Sequence, residues 1–381
     1  MAFSRTLAVL AATSALVAGC GHATRPPAAS SHKPTAAAPT ALPSCGDATG
    51  LSPRDKLAQL LMVGVKDADD ARAVVNDYHV GGIFIGSWTN QAIFDGPLAD
   101  IKNSAGPLAL AVSVDEEGGR VSRLMKRIGA APSPKQLAQT MSPQQVHDLE
   151  LDRGRKMHDL GITVDFAPDI DVVTTAPDDS VIGNRSFGAD PQTVTIFGEA
   201  YARGLLDAGV KPVFKHFPGH GRGSGDSHTG GVTTPPLDQM QDVDLVPFRN
   251  LVGVVPAGVM VGHLQVPQLT TGDLPASLSP EAVQMLRTGK GYGGKPFDGP
   301  IFSDDLSSMA AISDKYDVPD AVLRTLQAGT DVALWVTTKE VPAVLDGLEK
   351  ALSNQQLQMT AVDASLGRLT RMKGQSPKCG H

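Results

Sequence analysis

The chain has 381 residues, with 33 Lys and Arg against 40 Asp and Glu and a formal net charge of −7; such a mildly acidic protein offers no basic track for a phosphate backbone, so nucleic acid is excluded as an expected partner. With 41% hydrophobic and 19% charged residues it is neither a disordered polyelectrolyte nor a membrane bundle, and it is long enough to bury a large core. Three cysteines and no CxxC pair exclude a zinc ribbon or a thioredoxin-type motif.

Residues 1–19 read as an export signal: Arg5, an apolar run from Leu7 to Val17, then the small residues Ala18 and Gly19. The run is too short to span a bilayer as a stable helix. Val17-Ala18-Gly19-Cys20 resembles the lipobox of bacterial lipoproteins, which implies lipidation of Cys20 and attachment to the outer face of the cytoplasmic membrane. Residues 20–45 follow as a tether. From Ala23 to Pro43, 17 of 21 residues are Ala, Pro, Ser or Thr, too little bulky apolar surface to offset the entropy of ordering. Cys45 and Cys379 flank the folded region, and export would put them where thiols can pair; sequence alone leaves the pairing open.

Eight apolar runs bounded by turn residues read as buried strands: Leu60 to Val65, Gly82 to Ile85, Leu108 to Val114, Thr163 to Phe166, Pro212 to Phe217, Gly258 to Val261, Pro300 to Ser303 and Asp331 to Val336. Helix-compatible stretches lie between them, among them Gln136 to Leu160, Gln192 to Ala208, Leu237 to Val252 and Ala321 to Ala328. Alternating strands and helices argue for a parallel sheet covered by helices, and eight strands close a single (β/α)8 TIM-type barrel. That barrel is expected over 46–376, with long loops and a short tail at 377–381. An open doubly wound sheet is the alternative architecture. Polar residues follow the runs: Asp115-Glu116-Glu117, Asp169 and Asp171, Lys215-His216, His263, and Asp304-Asp305. In a parallel barrel those ends share one mouth, where the chemistry sits.

Three motifs carry a resemblance. They are Asp115-Glu116-Glu117-Gly118-Gly119-Arg120-Val121-Ser122-Arg123, then Lys215-His216-Phe217-Pro218-Gly219-His220-Gly221 with Asp226-Ser227-His228, then Phe302-Ser303-Asp304-Asp305-Leu306. In this order the chain resembles glycoside hydrolase family 3 β-N-acetylglucosaminidases of the NagZ type, over essentially the whole folded region. The resemblance implies a retaining mechanism with Asp304 as nucleophile and His228, paired with Asp226, as acid/base. Imidazole titrates near neutrality and a carboxylate on its other nitrogen supports the protonated form. Gly219, Gly221, Gly223 and Gly225 are expected to free that loop to close over sugar. The resemblance also assigns Asp115, Arg123, Arg185, Lys215 and His216 to sugar binding, Arg185 lying in Ile182-Gly183-Asn184-Arg185-Ser186-Phe187-Gly188.

Asp305, Asp171, His220 and His263 are expected to support the site structurally, and Glu116 and Glu117 either to pack or cap or to serve the site indirectly. Trp88 and Trp335 are expected to pack, though each could stack on sugar. No metal or organic cofactor is implied, and a monomer acting on N-acetylglucosamine-containing muropeptide or peptidoglycan fragments is expected. The competing readings are a non-catalytic lipid-anchored sugar-binding protein, a metal hydrolase using His216, His220, Asp226 and His228, and a phosphorylase, since a histidine acid/base lacks the charge that would repel phosphate.

Overall fold

The computed structural model describes Ala48 and residues 50–374 apart from Pro107. The expected export signal (1–19), the tether (20–45) with Cys20 and Cys45, and the tail (377–381) with Cys379 lie outside the described residues.

Eight parallel strands form the central sheet: β1 (Leu61–Val65), β2 (Gly82–Ile85), β3 (Ala111–Val114), β4 (Val164–Asp165), β5 (Lys211–Phe217), β6 (Gly258–Val261), β7 (Ile301–Ser303) and β8 (Ala333–Trp335). Their order is β7-β6-β5-β4-β3-β2-β1-β8. A parallel bridge between Phe302 and Val332 joins the two ends. Ser303 N–H donates to the Val332 carbonyl and Leu306 N–H to that of Leu334, both at 2.9 Å. The Ser303 hydroxyl adds a bond by accepting Leu334 N–H at 2.9 Å. The expected barrel is therefore closed, and all eight apolar runs contribute a strand.

Every strand residue except Lys211 is buried, because one face meets the barrel interior and the other the surrounding helices. Inside, Phe166 stands between Phe84 and Phe302, with ring centroids 5.9 and 5.4 Å away. The crossovers keep the strands in sequence order around the sheet, so their C-terminal ends converge at one mouth.

Helix starts follow a recurrent Ser/Asp and Pro signal. Ser142 caps Pro143–Asp159 in a reciprocal capping box with Gln145; Asp190 caps Pro191–Asp207 by accepting from Gln192 and Thr193 N–H. Proline suits the first turn, where its missing N–H costs nothing. The same chemistry corrects the expected continuous stretch from Gln136 to Leu160, which is two helices, Pro134–Thr140 and Pro143–Asp159. Pro143 cannot continue the first of them. Leu237 to Val252 is likewise divided, into Leu237–Met240 and Leu245–Leu251. No helix among the described residues is long and apolar enough to cross a membrane.

Candidate active site

Residues at the C-terminal ends of β3 and β5, with others from the segment after β4, build one buried ionic network. The Lys215 ammonium, at the end of β5, sits 2.7 Å from Asp115 Oδ1 and 2.7 Å from Glu117 Oε1. Arg185 grips Glu117 in a two-pronged contact, Nε to Oε2 and Nη2 to Oε1, each 2.8 Å, and its Nη2 lies 3.5 Å from Asp169. Burial would lower Lys215 and raise Glu117, but the opposing charges prevail, so the lysine is held well above and the glutamate well below its ordinary value. Asp169 lacks full compensation: burial and the neighbouring Asp171 push it up to about 8.

Asp171 organises the following segment. Its Oδ1 accepts the backbone N–H of His216 at 3.3 Å and of His220 at 2.6 Å, and its Oδ2 lies 2.8 Å from His216 Nδ1. His216 therefore donates from Nδ1 and presents the rest of its ring to the mouth. Burial pushes this imidazole down to about 4, which leaves it neutral at physiological pH.

Asp304 follows β7 and is almost fully buried; its N–H donates to the Val261 carbonyl at 3.1 Å. Burial would raise its carboxyl, but His216, His263, the Asp305 N–H and Lys215 outweigh it and hold it below the ordinary carboxylate value. With His216 neutral, Lys215 is the cation that persists at neutral pH. Asp305 turns elsewhere: Oδ1 accepts Ser307 N–H and Oγ–H, both at 2.8 Å, and Oδ2 accepts Ser308 N–H at 3.2 Å. His263 donates Nε2–H to the Asp305 carbonyl at 2.7 Å, and its Nδ1 lies 2.7 Å from Ser277 Oγ. Asp171, Asp305 and His263 are thus supports, as their sequence positions suggest.

His228 lies in the loop after β5. Asp226 Oδ1 accepts its backbone N–H at 2.9 Å and contacts its Nδ1 at 2.7 Å, and no described residue bonds its Nε2. The half-exposed ring is carried by a tethered backbone: Ala311 N–H donates to the Ser227 carbonyl at 3.1 Å, Ala310 N–H reaches that of His228 at 3.5 Å, and Ser227 is buried. The loop is therefore fastened to the segment that follows Asp304. Its glycines differ from the expectation of freedom alone. A Cβ on Gly221 would stand 2.2 Å from the Val172 carbonyl oxygen and one on Gly223 2.7 Å from Val232, so close approach requires both; Gly219, at φ 136°, is the one in the left-handed region.

These groups surround a cavity of about 230 Å³, the size of one sugar ring. Asp115, Arg123, Arg185, Lys215, His216, His228 and Asp304 all line it, and Asp226 stands behind His228, bordering a neighbouring cavity. Phe84, Phe166, Met260 and Leu334 supply apolar wall. Trp88, 46% exposed, also lines the cavity, whereas Trp335 is buried in the core.

Residues 52–372 match the glycosyl hydrolase family 3 N-terminal domain. The chain belongs to glycosyl hydrolase family 3. This family 3 hydrolase is 65% identical over 389 aligned residues to the beta-hexosaminidase LpqI of Mycobacterium tuberculosis, with 100% of both chains covered. Its fold matches the solved structure of M. tuberculosis LpqI at a TM-score of 0.85 and 69% identity, over 86% of this chain and 96% of that one. A family 3 beta-N-acetylglucosaminidase from Paenibacillus matches at a TM-score of 0.78 and 32% identity, over 85% of this chain and 62% of that one.

Three features of the hydrolase take their detail from the structure alone. Glu117 is the anion that Arg185 and Lys215 share, a role visible only once β3 and β5 are neighbours of the Arg185 turn. Glu116 accepts Arg123 and Leu124 N–H at 2.7 Å each and meets Arg153 at 2.7 Å, which sets the hairpin that carries Arg123. Met309 and Ser308, beyond Asp304, help line the cavity. As for metals, among the described residues the set bringing three candidate ligand atoms within 4.8 Å of one another is Asp169, Asp171 and His216. The alternative set of His216, His220, Asp226 and His228 is not gathered in this way, and His216 and Asp171 already bond each other.

Proposed function

We propose that this family 3 hydrolase is an exo-acting, retaining β-N-acetylglucosaminidase that removes terminal N-acetylglucosamine from peptidoglycan-derived glycans. The observation that carries the reading is the pairing, around one sugar-sized cavity, of an ionised Asp304 with an Asp226–His228 dyad. Beta-hexosaminidase activity is supported by the full-length likeness to LpqI.

In the first step the Asp304 carboxylate attacks the anomeric carbon. The glycosidic C–O bond breaks and the leaving oxygen takes the proton from His228 Nε2. In the second, Nε2 accepts a proton from water while the water oxygen attacks the same carbon, which frees Asp304 with the anomeric configuration retained. Asp226 opposite Nδ1 supports the imidazolium that precedes bond cleavage. Arg123, whose guanidinium has no partner among the described residues, is available to sugar hydroxyls or the acetamido oxygen, and Asp115 has its second oxygen free for hydroxyls.

The decisive experiment compares chromogenic β-glycosides of N-acetylglucosamine and glucose, with and without inorganic phosphate, followed by defined muropeptides. Preference for glucose would overturn the substrate assignment; a sugar 1-phosphate would replace hydrolysis by phosphorolysis. We also propose attachment to the membrane through a lipidated Cys20, checked by release of a Cys20→Ala protein from the membrane fraction, and a Cys45–Cys379 disulfide, checked by thiol titration of unfolded, unreduced protein.

A further inference from the structure

His220 is 3% exposed, and neither ring nitrogen has a hydrogen-bond partner among the described residues. A buried imidazole carries at least one N–H, and leaving such a donor unmet costs free energy, so a group of this kind needs an account. The residue is firmly held. Its N–H donates to Asp171 at 2.6 Å, its carbonyl accepts Gly223 N–H at 2.8 Å, and its ring lies edge-on to His216 at 5.8 Å. It borders both the central cavity and a second cavity of about 450 Å³, whose polar lining includes Asp179, Ser180, Ser224 and Asp226. Asp226 spends Oδ1 on both contacts with His228, while Oδ2 accepts nothing among the described residues. The residues that carry an unmet donor and an unmet acceptor thus border one polar space large enough for water.

We infer that His220 is a positioning residue of the reaction: water held in the second cavity carries a hydrogen bond from its ring N–H to Asp226 Oδ2, fixing the carboxylate that orients His228. The inference rests on the Asp226–His228 dyad acting as acid/base. It is consistent with the electrostatics of Asp226, whose carboxyl burial would raise but which the hydrogen bonds from His228 hold below its ordinary value.

The test uses His220→Phe, which keeps a ring without nitrogens, and His220→Gln, which keeps an N–H. Their kcat/KM is measured on a 4-nitrophenyl glycoside, whose phenolate leaves with little protonation, and on the N-acetylglucosamine disaccharide, whose oxygen must be protonated. His220→Phe is expected to lose about 10- to 100-fold on the disaccharide but less than about threefold on the aryl glycoside, and His220→Gln to regain most of the loss. Equal loss on both substrates, no loss on either, or a glutamine variant as impaired as phenylalanine overturns the inference. His228→Ala serves as the reference: if it loses equally on both substrates, the acid/base reading itself fails, whereas a split there without one in His220→Phe removes only the role of His220.

Discussion

Glu117→Gln is a nearly isosteric change at the centre of the ionic network. Glu117 accepts three charge-assisted bonds: Lys215 and Arg185 Nη2 on Oε1, and Arg185 Nε on Oε2. Both oxygens face cationic donors, so whichever way the amide is turned, its NH2 points at one of them. At least one bond is lost, and two buried cations share one fewer anion. Breaking a buried pair in this way costs about 3–5 kcal/mol, which lowers the thermal midpoint by about 4–7 °C for a domain of this size. Arg185 and Lys215 also line the cavity. Disordering two charged contacts of about 1.5 kcal/mol each should lower kcat/KM by on the order of 100-fold. Thermal unfolding followed by circular dichroism, with kinetics on a chromogenic N-acetylglucosaminide, checks both. A variant with unchanged midpoint and unchanged kcat/KM would refute the assignment of Glu117 as the anion that orders the cations lining the cavity.

Asp304→Asn should reduce turnover by about 10⁴-fold or more, as expected for loss of a nucleophile, and should abolish the covalent adduct that mass spectrometry detects with a fluorinated substrate mimic; normal hydrolysis would end the double-displacement scheme. Asp226→Asn and His228→Ala should slow the reaction without abolishing it and flatten its pH dependence near neutrality, read from kcat/KM profiles. Glu150 is buried, its Oε2 has no hydrogen-bond partner among the described residues and lies 3.6 Å from Arg153 Nε, and burial pushes its carboxyl up from 4.5 to about 8. A folded value above the unfolded one means that stability is full below about pH 4.5 and declines as pH rises towards 8. Glu150→Gln removes that decline, so the variant should gain thermal stability relative to the parent at pH 8 more than at pH 4.5; an identical difference at both values would show that Glu150 is ionised in the native protein.

Much of this molecule can be read along the chain. Eight apolar runs became eight barrel strands because burial on both faces removes the need for alternation, and the turn that ends each run leaves its mark within a few residues. The residues gathered at the candidate site were legible for a related reason: a parallel barrel collects strand ends at one mouth, so Asp115, Lys215, His216 and Asp304 could be grouped without knowing a distance. Helix boundaries were less legible, since an amphipathic pattern passed across Met141 and Ser142 while the cap and Pro143 divided it.

Tertiary structure alone decided how the charges are shared. Glu117, Arg185 and Lys215 are far apart in sequence, and nothing local states that one carboxylate serves both cations, or that Asp304 stays ionised despite burial while Asp169 is pushed up. Close packing likewise explains Gly221 and Gly223, whose pattern suggested a flexible loop but whose backbones lie against Val172 and Val232. Sequence determines which groups arrive at the mouth, through local patterning and topology; the electrostatic state of each arises from neighbours that only folding supplies.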